Sequence, residues 1–291
     1  IGNLAQSNAV AGAMKAAFGI PKAVSGAVLA GLIGLTLCGG IQRIAKLTER
    51  VVPIMAAVYL LAAGAVLFKK WECLPEVFEV MLQEAFQPSA AAGGILGFIT
   101  SRAVRLGLSR GVFSNEAGMG SAPIVHGAAR TDSAVRQGFW GVVEVFLDTT
   151  VMCTVTALVI LVAGEIPAGM NGAALTAAAF STGLGTWAGS FVAISILFFA
   201  GASILGWSYY GEKALEYLSP SIRCRCWYRR IYLCAVFVGA FVSLEAVWGI
   251  SDFLNLLMAI PNVAAVLILT NEVSGETARY FGNKNSGNQN L

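Results

Sequence analysis

The chain has 291 residues, of which 57% are hydrophobic and 12% charged, and its mean hydropathy is +0.72. Its apolar residues gather into blocks long enough to cross a hydrocarbon core of about 30 Å at about 1.5 Å per helical residue, which excludes an ordinary water-soluble domain. The net charge of +3 comes with no basic patch interleaved with aromatics, so nucleic acid is excluded as a partner.

The fold class expected is an all-α polytopic membrane bundle, with spans at 1–19, 24–41, 51–68, 92–127, 138–163, 187–211, 231–247 and 250–271. Residues 1–271 then form one transmembrane domain and 272–291 a polar cytoplasmic tail, whose last stretch, "GNKNSGNQNL" at 282–291, is expected to be disordered. With the loop at 42–50 in the cytoplasm, 12 of the 19 Lys and Arg fall on the cytoplasmic side and 4 on the other; Arg102, Arg105 and Arg110 lie inside the fourth span.

The first block, "IGNLAQSNAVAGAMKAAFGIP", starts in mid-helix with no charged leader or cleavage site before it, so further chain is expected upstream. Gln6 and Asn8 are uncharged amides in this otherwise apolar helix. Such a group is tolerated at depth if it donates to a ligand carboxylate or to a neighbouring helix, and both roles stay open. The segment 74–86, "LPEVFEVMLQEAF", reads as an amphipathic helix on the outer face, with Glu76, Glu79 and Glu84 opposite its apolar residues.

The stretch "RGVFSNEAGMGSAP" at 110–123 interrupts the fourth span. In lipid every backbone N–H and C=O must be paired, so irregular backbone at membrane depth is tolerated only where it is buried in protein or lines a wet cavity. Gly111, Gly118 and Gly120 permit departure from helical geometry, and Asn115 with Glu116 places polar and ionisable groups inside the interruption. A broken helix is expected. Its half-helix ends suit an anion at exposed N–H groups and a cation at exposed carbonyls, the two halves of a zwitterion site. His126, at the cytoplasmic end of the span, reads as an interfacial polar residue.

Glu144 and Asp148 in "GVVEVFLDTT" stand at i, i+4 on one helix face, with a structural or ion-pathway role expected. Acid–base catalysis by such a pair lacks company, because no nucleophile motif or metal-ligand cluster accompanies it. Arg102, Arg105 and Arg110 are candidate partners for these acids or for Glu116. No charged residue lies between Glu165 and Glu212; within that run "GAALTAAAFSTGLG" at 172–185 is too short to span and reads as a re-entrant or lid-like outer segment. Cys38, Cys153 and Cys234 sit in spans as small hydrophobes, and the Cys224–Cys226 pair has too few neighbours to bind metal.

Five segments together carry a resemblance: "GNLAQSNAVAGAM", "RGVFSNEAGMGSAP", "QGFWGVVEVFLDTTVMCTVTALVIL", "ILGWSYYGEKALEYL" and "MAIPNVAAVLIL". They resemble the sodium-coupled alanine or glycine symporters, a bacterial and archaeal branch of the transporters with the leucine-transporter-type inverted repeat. The resemblance implies ten core helices in two repeats, with this chain holding the third to the tenth and the quoted break forming the sixth. It implies a multi-pass protein of the plasma membrane that imports a small neutral amino acid with Na+, protons or no coupling at all being the alternatives, and needs no obligate protein partner. It implies that Gln6, Phe113, Asn115, Ser203 and Trp207 contact the substrate. Phe113 would wall the side-chain pocket and Trp207 would form its ceiling, with Ser203 one turn earlier on the same face. It also implies half of a sodium site, from the Ala200 carbonyl and Ser203, the other half belonging to the upstream first helix.

Overall fold

The computed structural model describes residues 2–86, 95–164, 166 and 169–287. Every α-helix among them follows in chain order: α1 (Gly2–Phe18), α2 (Lys22–Leu37), α3 (Gly40–Lys69), α4 (Leu74–Phe86), α5 (Ile95–Asn115), α6 (Ala122–His126), α7 (Ala134–Val145), α8 (Cys153–Val162), α9 (Gly172–Leu184), α10 (Trp187–Leu218), α11 (Ile222–Gly239) and α12 (Leu244–Gly287). A π-helical stretch, Phe146–Met152, joins α7 to α8. Among the described residues no strand occurs. Four runs are long and apolar enough to cross a membrane: Thr48–Lys69, Ala134–Val162, Trp187–Leu218 and Leu244–Gly282; Lys22–Leu37 and Gly172–Leu184 are apolar but shorter.

Three boundaries differ from the sequence-based expectation. The loop expected at 42–50 is helical, because the chain turns at Gly39–Gly40 and no Gly or Pro then intervenes until Pro53, which α3 accommodates. The last two helices meet at 240–243 rather than at 247–250. Ser243 decides this: its Oγ accepts from the Ala246 N–H at 3.3 Å, an N-cap that starts α12 early. From there α12 passes Pro261 and continues to Gly287, so the cytoplasmic tail is helical over 272–287, including 282–287 of the stretch expected to be disordered.

The chain divides into two compact units, Ile1–Arg105 with Met152–Ser251 and Leu106–Val151 with Asp252–Leu291. In the first unit α10 takes part in both apolar clusters. Ala200, Ile204 and Leu205 pack with Val10 and Met14 of α1, Leu29 and Ile33 of α2, and Tyr232 and Val236 of α11. Ala188 and Val192 pack with Tyr59 and Val66 of α3, Val159 of α8 and Phe180 of α9. The segment 172–185, expected to be re-entrant or lid-like, forms the packed helix α9: Phe180 is fully buried, its ring centroid lies 5.2 Å from that of Tyr59, and Lys69 Nζ donates to the Gly183 carbonyl at 3.1 Å.

Lipid is as apolar as leucine, so close fit and interhelical hydrogen bonds, rather than escape from water, hold such helices together. One polar edge of α1 binds α11 throughout. Asn3 Nδ2 donates to the Tyr232 carbonyl, Ser7 Oγ to that of Val236, and Asn8 Nδ2 to those of Gly239 and Val242 at 3.0 and 2.7 Å. In the last turn of α11 the Val236 and Gly239 carbonyls are thus capped from α1, while those of Phe237 and Val238 accept backbone N–H groups of residues 240–242. The backbones approach closely there: a Cβ on Gly239 would lie 2.9 Å from Leu4 Cα. Asn8 is a structural amide, whereas Gln6, half-buried, has no hydrogen-bond partner among the described residues.

Asn8→Ala leaves two carbonyls unpaired and is expected to cost about 1–2 kcal/mol, read as a lowered Tm of the purified protein. Gln6→Ala is expected to stay within about 0.5 kcal/mol of the parent in the same measurement.

Candidate functional site

In the second unit the expected break is present. Between the end of α5 at Asn115 and the start of α6 at Ala122, Glu116, Gly118 and Gly120 have φ of 53°, 82° and 84°. The glycines adopt this left-handed geometry freely, while Glu116 does so at a cost on the order of 1 kcal/mol or more. Local bonds hold it there. Asn115 Oδ1 accepts from the Ala117 N–H at 3.2 Å, the Met119 N–H donates to the Glu116 carbonyl at 3.1 Å, and Ser121 Oγ donates to Glu116 Oε2 at 2.6 Å. At Gly120 the backbone also passes close to α12, since a Cβ would lie 3.0 Å from Asn262 Oδ1. The break takes the last carbonyls of α5 and the first N–H groups of α6 out of the helical ladder.

The last turn of α5 is held by the π-helical stretch. Ser114 Oγ donates to Asp148 Oδ2 at 2.8 Å, and Asn115 Nδ2 donates to Thr149 Oγ1 at 3.3 Å. Consecutive residues of one helix thus reach the same neighbour, a use of π geometry common at functional sites. Phe113 lies half-buried in the same turn.

Glu144 and Asp148 do not work as a pair. The π-helical stretch begins between them, Asp148 takes Ser114, and Glu144 Oε2 lies 3.4 Å from His126 Nε2. His126 is half-buried and engaged on α7. Arg110 pairs with an acid that was not among those expected. Its Nη2 lies 2.8 Å from Asp252 Oδ2, and Ser109 Oγ donates to Asp252 Oδ1 at 2.6 Å. Asp252 opens the second unit's part of α12 and no spacing along the chain links it to Arg110. The side chain of Arg102 lies outside the described residues.

In the first unit Trp207 lies over α1: a Cβ on Gly2 would sit 2.7 Å from the indole Cε2. Gln6, four residues on, shares the Gly2 face of α1, and Ser203 lies one turn before Trp207 on α10. Ser203 is half-buried and has no hydrogen-bond partner among the described residues. Ala200 is buried in the core, and α10 is unbroken around it, so its carbonyl is an acceptor within the helix with one lone pair to spare. Tyr232 and Tyr228, which sequence reasoning did not single out, fix α10 here. Their hydroxyls donate to the carbonyls of Ile204 at 2.6 Å and Ser208 at 3.3 Å. Charge begins a turn beyond Trp207, where Arg229 grips Glu212 through two bonds of 2.8 Å.

The model of the sodium:alanine symporter family matches residues 1–291. The chain belongs to this family. It is 42% identical over 284 residues to the sodium/alanine symporter AgcS of Methanococcus maripaludis, covering 96% of this chain and 61% of that protein. It is 37% identical over 286 residues to the probable sodium/glutamine symporter GlnT of Bacillus subtilis (98% and 59% covered) and 33% identical over 282 residues to the sodium/proton-dependent alanine carrier protein of Bacillus sp. strain PS3 (91% and 62%). The chain thus spans about three fifths of the length of these symporter relatives.

Alanine at Gly120 meets both the left-handed backbone and Asn262, whereas alanine at Gly118 meets the backbone cost alone, with open space around its Cβ. Gly120→Ala is expected to lower thermal stability more than Gly118→Ala, each by about 1–3 kcal/mol.

Proposed function

We propose that the full-length protein is a secondary carrier that imports a small neutral amino acid, alanine or glycine, with sodium across the plasma membrane of a bacterium or archaeon. The observation that carries this reading is the break at 116–121, where left-handed residues interrupt a helix of an apolar chain. Half-helix ends offer fixed partial charges of both signs, which a zwitterion with its accompanying cation matches. The family supports sodium coupling, and the scaffold we assign is the leucine-transporter-type inverted repeat, with α5–α6 as its sixth helix.

The substrate contacts we assign are Gln6, Phe113, Asn115, Ser203 and Trp207, the residues that the resemblance implies. Gln6 is the better ligand candidate of the two α1 amides because Asn8 is spent on α11. Ser203, with the spare lone pair of the Ala200 carbonyl, offers oxygen to sodium, the ligand type a hard cation prefers. Protons are the alternative ion, in keeping with the name of the PS3 relative. The bulk of Trp207 favours alanine and glycine over the glutamine in the name of GlnT.

Alanine uptake into vesicles carrying the full-length protein is expected to require a sodium gradient; uptake indifferent to sodium would remove the symport reading. A hydrophobic pocket discriminates a single methylene by only about 1–3 kcal/mol, so a steric wall is the more effective device. Trp207→Ala is therefore expected to let valine or leucine compete with alanine while weakening alanine itself. An unchanged rank order in competition binding would return Trp207 to a packing role.

A further inference from the structure

The last residue of α6 is the one histidine of the chain, and α7 is shaped to receive it. Gln137, Gly141 and Glu144 lie on one face of α7. The imidazole lies across Gly141, whose absent Cβ would stand 3.5 Å from Nε2. Gln137 Nε2 is 2.8 Å from Nδ1, and Glu144 Oε2 is 3.4 Å from Nε2. With the Gln137 amide NH2 turned toward it, Nδ1 accepts, and the single proton of the neutral ring then sits on Nε2 facing the carboxylate.

We infer that His126, Glu144 and Gln137 form a proton-binding site that fastens α6, the second half of the broken helix, to α7. The added proton goes to Nδ1. The Gln137 amide turns about its terminal torsion so that Oε1 accepts from the new N–H, and the ring becomes an imidazolium against the Glu144 carboxylate. A charge-assisted bond replaces a neutral donor, so the protonated state grips α6 more firmly.

Water reaches the site. Gln137 also lines an open cleft of about 770 Å3 with Arg130, Asp132, Arg136 and Trp140. The distribution of Lys and Arg along the chain assigns this end to the cytoplasm, so the site senses cytoplasmic pH. The other charged groups on the elements around it are Arg136 paired with Asp132, Arg130 in the connecting loop, Glu116 bonded to Ser121, and Asp148 bonded to Ser114 on the π-helical continuation of α7. On α12, which meets this unit at Asn262 and Phe281, they are Asp252 paired with Arg110, Glu272, and Glu276 paired with Arg279.

The consequence for transport rests on the carrier reading; the proton site itself does not. In right-side-out vesicles of the full-length protein, with the sodium gradient and external pH held constant, lowering internal pH from 8 to 6 is expected to slow initial alanine uptake. The slowing should be roughly two- to five-fold, the range an exposed ion pair supports. His126→Gln and Glu144→Gln are each expected to abolish that response; its persistence in both, or a response to external pH alone, overturns the inference. Nitrogen-15 NMR of labelled histidine, assigned by difference against His126→Gln, tests the site without transport. The Nε2–H tautomer at pH 8 and a doubly protonated ring at low pH are expected. An Nδ1–H tautomer at pH 8 overturns the inference even if alanine uptake proves sodium-driven.

Discussion

A backbone N–H or C=O without a partner is costly in hydrocarbon, and the interruption at 116–121 is the place where this chain meets that constraint instead of avoiding it. Three residues of positive φ end α5 and redirect the chain into α6. Such a break survives only when its surroundings over-determine it. Here Asn115, Glu116 and Ser121 close it from within, while Asp148, Thr149 and Asn262 close it from α12 and from the π-helical stretch. Substrate chemistry, where we assign it, falls to the groups that the break releases.

The two units hold their helices together by different means. The first has apolar clusters centred on α10, bound at their edges by short amides and hydroxyls donating to helix carbonyls: Asn3, Ser7 and Asn8 to α11, and Tyr228 and Tyr232 to α10. The second has few buried side chains and relies on ionic and polar links, Arg110 with Asp252 and Ser114 with Asp148 among them. Lipid gives no hydrophobic reward for helix association, and so the polar links fix register in both.

Much of this was legible along the chain. The break was readable because three glycines, an asparagine and a glutamate inside an apolar run are poorly suited to a continuous helix in lipid, and the helix at 74–86 was readable from its amphipathic spacing. Boundaries were less so. Residues 42–50 carry charge, which suggests a loop, but they contain good helix formers and no breaker, and local propensity won. Ser243 was a visible N-cap residue, and it marks the start of α12 better than hydropathy does. Partners across the fold were not legible: Arg110 with Asp252 and His126 with Glu144 depend on how helices pack, and no one-dimensional spacing encodes that. Gln6 and Asn8 are alike in chemistry, and only the resemblance singled out Gln6; the structure adds that α11 takes Asn8.

Hydrogen exchange at the amides of residues 117–121 in the full-length protein addresses the break most directly, with and without alanine and sodium. Seating a carboxylate or a cation at the half-helix ends predicts slower exchange at these amides when both ligands are present, and little change in the α1–α11 contact. Exchange at 117–121 indifferent to alanine and sodium, in protein that still binds alanine, would contradict a ligand role for the break.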